Sequence, residues 1–282
     1  MPVLTARRLA HAVIAVLAGA AVSAVPVMAQ TSDLVSTSEL RVCADPANAP
    51  ASDMSLSGYE NKIAALIGDA LDRPVGYTWY PMATGFIRNT LRANRCDVVI
   101  GYAQGHEMVL NTNHYLTSAY VLIVPDGSDI ADVDRLSDER LKGKRIGVIA
   151  GGPPGDHLAR NGLIGKARLY HLFVDRRHAA PPVDMLEDLK AGEIDAAILW
   201  GPIGGPLVKS DYPGFAVHPL VHETLPPRLF FRITMGVRQG EIVWKRKLNS
   251  LIRRNQSKID AILTEAGVPL LNDMGTGLKG AE

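Results

Sequence analysis

Residues 101–108, GYAQGHEM, set His106 beside Glu107 in a glycine-bearing loop that follows the apolar run Cys96-Asp97-Val98-Val99-Ile100. A histidine next to a carboxylate could move protons, and the end of a buried strand is where α/β proteins usually hold ligands. Adjacent side chains of an extended loop point apart, however, and no Ser or Cys nucleophile with a suitable partner accompanies the pair. The motif therefore reads as a hydrogen-bonded loop at a binding cleft, and no catalytic residue is expected.

Three other stretches invite chemistry and fall short of it. His218 and His222 in HPLVHE have the spacing of a zinc-binding helix, but Pro219 lies between them and the flanks are β-like. DGSDIADVD, residues 126–134, is acidic but lacks the ligand order and the central glycine of a calcium loop. AGGPPGDH, residues 150–157, could cradle an anion at a helix start, yet Pro153 and Pro154 remove two of the amide donors. Gly151 and Gly152 then read as a rigid cleft wall, and neither a metal nor a cofactor is expected. Of the aromatic residues near strand ends, Phe86 suits a core, while Tyr102 and Trp200 suit the lining of a cleft.

The chain that must position these residues has 282 of them, enough for two domains of ordinary size. With 30 Lys and Arg against 29 Asp and Glu there is no basic field for nucleic acid or an anionic membrane. Arg7 and Arg8, an apolar stretch from Ala12 to Val25 and the small residues ending at Ala29 have the layout of a secretory leader. Cleavage at 1–29 would leave 28 basic and 29 acidic residues and a mature chain with no membrane segment. Export to the periplasm puts Cys43 and Cys96 where thiols tend to oxidise. Each sits in a strand-like run, so a bridge would tie two neighbouring strands; two free buried thiols are the alternative.

From Leu40 the pattern is β-α-β-α-β: LRVCA, then GYENKIAALIGDALDR with Ile63, Leu66, Ile67 and Leu71 at helical spacing, PVGYTWYP, the helical GFIRNTLRANR, and CDVVIG. SAYVLIVPDG is a long strand, after which Asp134 can cap a short helix that Gly143 ends. RIGVIA opens a second series with helices at GPPGDHLARNG and VDMLEDLKAGE and strands at ARLYHLFV and IDAAILWGP. Pro and Gly clusters punctuate 151–155, 201–206 and 225–227. Two further strands, GFAVHPLV and LFFRITMGVRQG, precede a long helix that directs Val243, Leu248, Leu251, Ile252, Ile259, Ile262 and Leu263 to one face and its Lys and Arg to water.

This order, with LKGKRIGVIAGG, DLKAGEIDAAILW and RITMGVRQGE at their places in it, resembles a periplasmic binding protein of the second structural type. The resemblance implies an α/β fold of two lobes, each a mainly parallel sheet flanked by helices, with a ligand cleft between them. Its lobes would be 30–120 plus 225–282, and 121–224. Amino-acid receptors of that class grip the ligand carboxylate with an Arg and the ammonium with an Asp. The corresponding positions here hold Met108 and Trp200, a thioether and an indole that pair with neither charge.

LRVCADPANAP, GYENKIAALIGDAL, VGYTWYP, GFIRNTLRANRCDVVIG and EMVLNTNHYLTSAYV more narrowly resemble the J-type (MxaJ/XoxJ-like) components that accompany pyrroloquinoline quinone (PQQ) methanol dehydrogenases. The match is densest in the first lobe. Ala51 stands where family members often carry a bulky aromatic, and Ala83-Thr84 where they carry a basic pair. The resemblance implies a non-enzymatic periplasmic accessory protein that clamps the large subunit of such a dehydrogenase, or of its lanthanide-dependent homologue, with the cytochrome c as a further candidate partner. The implied cleft comprises Asp45, Asn48, Tyr59, Glu60 and Tyr80, then Gly101, Tyr102, His106 and Met108, facing Gly151, Gly152 and Trp200. The alternatives are the solute receptor of an ABC transporter for a small ligand other than an amino acid and, behind it, a cleft dehydratase.

Overall fold

A computed structural model of the chain describes residues 34–172 and 179–280; the leader at 1–29 and the end of ARLYHLFV lie outside the described residues. The chain begins with β1 (Leu40–Ala44), a small ribbon of β2 (Ala47–Asn48) and β3 (Ser52–Asp53), and α1 (Tyr59–Leu71). β4 (Val75–Trp79), the single turn α2 (Phe86–Asn89), β5 (Val98–Ala103) and the long β6 (Leu110–Pro125) follow. Then come β7 (Ile146–Ile149), α3 (Pro153–Arg160), β8 (Arg168–Tyr170), α4 (Pro181–Lys190), β9 (Ala196–Trp200) and α5 (Gly201–Asp211). β10 (Phe215–Pro219), β11 (Phe230–Val237) and α6 (Ile242–Ala266) close the order.

The strands lie in the order β4-β1-β5-β11-β6-β9-β7-β8, with β10 also on β6. β4, β1 and β5 are parallel, as are β9, β7 and β8, which is the mixed α/β arrangement the repeated β-α pattern implies. β6 joins the two sets. Its first part, from Leu110 to Ala119, pairs with β11, and Tyr120–Ile123 pairs with β9 while Val121–Pro125 pairs with β10.

The inner strands β1, β5, β7 and β9 are largely buried because the chain packs on both of their faces. In β5, Val98 and Ile100 point into one core with Leu40, Val42, α1 and α6, while Val99 points the other way, to Cys43, Phe86, Leu91 and Cys96. In β6, Leu122 and Val124 meet Ile130, Leu136 and Leu158, and Val121 and Ile123 meet Met185, Leu186 and Leu189. Cys43 and Cys96 form a disulfide with the Cα atoms 5.4 Å apart, fastening β1 to the start of β5.

Asp97, at that same start, is a buried junction. Its Oδ1 accepts from Arg41 Nη2 (2.7 Å) and Arg238 Nη2 (2.6 Å), and its Oδ2 accepts from Arg41 Nε (2.7 Å) and the Ser36 amide (3.0 Å). The Asp97 carbonyl accepts from Trp244 Nε1 at 3.1 Å, and Arg238 also donates to the Cys96 carbonyl. The Asp97 carboxylate thus binds β1 and the end of β11 to β5, and its backbone carbonyl adds the first turn of α6. Burial alone would raise its pKa, but the hydrogen bonds from Arg41 and Arg238 outweigh burial and hold it below the usual carboxylate range.

Four readings of the sequence need correction. The Pro and Gly cluster at 201–206, which reads as punctuation, opens the helix α5: Pro202 falls in the first turn, where no amide bond is needed. Its glycines serve close approach, since a β-carbon on Gly204 would meet Ile123 at 2.9 Å and Leu199 at 3.0 Å, and one on Gly205 would meet the Gly267 carbonyl. Asp134 caps nothing; it pairs with His222 Nδ1 at 2.7 Å, and Asp138 caps the 3-10 turn Glu139–Leu141 instead. GFIRNTLRANR is helical only over α2, because the buried Thr90 turns its hydroxyl onto the Phe86 carbonyl (2.7 Å) as the chain leaves helical geometry. On α6, Val243 is 70% exposed and Trp244 takes the core position at 3%.

Replacing Asp97 with Asn removes the charge between two guanidiniums and is expected to cost about 3–5 kcal/mol in urea unfolding. Because the native pKa is depressed, the carboxylate's contribution is present above the ordinary value of 3.8 and is lost as pH falls through the lower native value. Acid unfolding of the Asp97→Asn variant is expected to lack that component.

Candidate functional site

The carboxyl ends of β5 and β9 meet the first turns of α1 and α5 around a cavity of about 230 Å³. A crevice beyond strand ends is the ordinary ligand position in α/β folds. β5 contributes Gly101, Tyr102 and Ala103; α1 contributes Tyr59 and Glu60; β9 and α5 contribute Trp200, Pro202 and Ile203. Asn48, Ala51, Met82, Tyr115, Leu116 and Ile233 complete the wall.

Six of the expected cleft residues therefore meet here: Asn48, Tyr59, Glu60, Gly101, Tyr102 and Trp200. The others lie elsewhere. Asp45 is buried behind the wall, its carboxylate accepting from the amides of Ala47 (2.9 Å) and Met82 (2.8 Å). Tyr80 packs near Phe86 and its hydroxyl accepts from Asn89 (2.9 Å). Met108 packs against the Cys43–Phe86 core cluster. His106 meets the Tyr102 ring edge-on, 5.3 Å between centroids, and lines with Glu107 a different feature. That feature is an open groove of about 1150 Å³ along 104–117 and 270–280, in which His114 Nε2 meets Asp273 at 3.3 Å and Lys279 pairs with Asp260 at 2.7 Å. Gly151 and Gly152 edge a third depression with Pro153 and Pro227. The smaller cavity is the better site because it gathers strand ends and helix starts, which the larger groove does not.

Met82, Tyr115, Leu116, Pro202, Ile203 and Ile233 also line the cavity, and no motif of the sequence marks them. Pro202 and Ile203 were hidden by the unread helix α5, whereas Tyr115 and Leu116 belong to an early part of β6 whose NTNHYLT pattern is too polar to announce a strand. Trp200 is held by edge-on contacts with Tyr120 (5.5 Å) and Phe231 (5.7 Å).

Glu60 is the one charged side chain among the described lining residues. Its backbone amide donates to the Ala51 carbonyl (2.8 Å), but no side-chain capping bond forms at the start of α1. Gly101 permits its approach, for a β-carbon there would collide with Glu60 Oε1. Burial first, and the like charge of Asp45 second, raise the Glu60 pKa from 4.5 to about 7. Burial likewise pushes the Tyr59 and Tyr115 hydroxyls well above their ordinary range, and Tyr115 donates to the Ile100 carbonyl (3.1 Å).

Among the described residues no cluster of three or more His, Cys, Asp or Glu is arranged to hold a metal ion. His222 is engaged with Asp134, while His218 lies on β10 opposite Leu122 with its Nε2 buried and unbonded.

No family model matches the chain. Its fold is that of a periplasmic binding protein: the crystal structure of periplasmic binding protein XoxJ from Methylobacterium extorquens AM1 superposes with a TM-score of 0.71 at 42% identity, covering 83% of this chain and all of that one. The crystal structure of MxaJ from Methlophaga aminisulfidivorans MPT gives a TM-score of 0.73 at 25% identity, covering 82% of this chain and 100% of the other. Protein MoxJ of Methylorubrum extorquens is 30% identical over 294 residues, spanning 94% of this chain and 96% of its own. The chain belongs to the MoxJ/XoxJ/MxaJ family.

A carboxyl whose native pKa is raised favours the fold below its unfolded value of 4.5, and that advantage is lost as pH rises through about 7. Glu60→Gln is therefore expected to stabilise the protein on the order of 2 kcal/mol at pH 8 and to leave it nearly unchanged at pH 4, as read from urea midpoints.

Proposed function

We propose that the chain is a non-enzymatic periplasmic accessory protein of a PQQ-dependent methanol dehydrogenase system. It holds a segment of the dehydrogenase large subunit, or of the lanthanide-dependent homologue, and assists its maturation or activation. The two lobes are 30–120 plus 225–282 and 121–224, and the cavity at the ends of β5 and β9 is the cleft between them. Membership of the J-type family supports the partner. The location is supported by the likeness to a periplasmic binding protein, and no described helix is long and apolar enough to cross a membrane.

The observation that carries the reading is the charge of the cavity. An amino-acid receptor needs a cation for the ligand carboxylate, and the described lining residues include neither Lys nor Arg. The ring-rich wall of Tyr59, Tyr102, Tyr115 and Trp200 suits an inserted side chain. The limited volume, about 230 Å³, favours as a second reading a transporter receptor for a small solute that is not an amino acid.

Affinity-tagged protein recovered from methanol-grown cells under conditions that keep weak complexes is expected to carry the dehydrogenase large subunit, identified by mass spectrometry. Recovery without the dehydrogenase, together with a metabolite that raises the melting temperature in a saturable manner, would replace this reading with the receptor.

A further inference from the structure

Glu60 and the rings around it form an incomplete charge pair. The carboxyl reaches β5 at Gly101, the one place on that strand where no β-carbon blocks it. The groups that face it are Asp45, of the same sign, and the phenols Tyr59, Tyr77 and Tyr115, all kept neutral by raised pKa values. Asp45 is already used by the amides of Ala47 and Met82. The described residues that line the cavity supply no cation to answer Glu60. A carboxylate near the start of a helix gains from the dipole, yet burial dominates here and leaves the acid only partly ionised at neutral pH.

We propose that this cavity takes an alkylammonium group, with Glu60 as its counter-ion and the rings of Tyr102, Tyr115 and Trp200 as its walls. Aromatic faces attract cations, and desolvation strengthens both that attraction and the ion pair. A metal ion would need several oxygen ligands, whereas one carboxylate and a ring-rich wall suit an organic cation of about four carbons. The group is either a free alkylamine or the lysine side chain of a partner segment. The inference rests on reading the cavity as the ligand cleft and stands whichever protein supplies the segment.

Isothermal titration of the purified protein with n-butylammonium, N-acetyl-lysine methylamide and the neutral isostere 1-butanol tests it. At least one of the two ammonium compounds is expected to bind, and 1-butanol is not. Binding of the lysine derivative alone assigns the site to a protein segment, and binding of butylammonium assigns it to a solute. Because the cation selects the ionised acid, affinity is expected to be about tenfold weaker at pH 6 than at pH 8. Glu60→Gln is expected to lose tenfold or more at pH 8. Equal binding of 1-butanol, no binding of either ammonium compound, unchanged affinity in Glu60→Gln, or affinity that rises as pH falls would each overturn the proposal. Ammonium binding without recovery of the dehydrogenase would leave this inference standing and remove the assigned partner, and the reverse result would do the opposite.

Discussion

Asp97 is the point on which the first half of the structure depends. It is 1% exposed, and a carboxylate so far from water is tolerable only because Arg41 and Arg238 reach it with short hydrogen bonds. Those two arginines come from β1 and from the residue after β11, so the ion cluster ties β1 and the returning strand β11 to β5, which lies between them. The disulfide at the preceding residue and the indole of Trp244 on the Asp97 carbonyl close the same junction. β5 is thereby anchored at its amino end. Its carboxyl end, at the other end of the six-residue strand, delivers Gly101 and Tyr102 to the cavity.

Glu60 is the opposite case. Asp97 is buried and Glu60 half-buried at the cavity wall, but Asp97 has two cations and a lowered pKa, while no cation lines the cavity beside Glu60, whose pKa is raised. The contrast separates an acid used to build the fold from one left for a ligand. Buried groups with perturbed ionisation gather at functional sites for this reason, and the geometry at Gly101 and Trp200 gives the perturbation a place to act.

Much of this was legible in the sequence where apolar periodicity was strong. LRVCA, CDVVIG and the helix of Ile63 and Ile67 lie where their patterns put them, since burial on both faces leaves few other choices. α5 was not legible, because three glycines and two prolines in eleven residues read as breakers, although here the glycines serve packing against β6, β9 and the Gly267 turn. Six of the twelve residues expected in the cleft meet at the cavity. Tyr102, Trp200 and Glu60 follow from strand and helix ends, but Met108, at the position of an amino-acid receptor's arginine, packs into the Phe86 cluster and does not line the cavity. The loop direction after β5 decides that, and no spacing rule encodes it. Ile233 enters the wall through β11, a contact made across more than a hundred residues of chain.

The central claim is that the partner is held in the cavity rather than on the open groove beside α6. Hydrogen exchange of the protein with and without purified methanol dehydrogenase addresses it directly. Slowed exchange at the amides of Gly101–Ala103 and at 201–205, with 270–280 unchanged, is the expected result. Protection confined to 104–117 and 270–280, or none at either face while the complex forms, would contradict it.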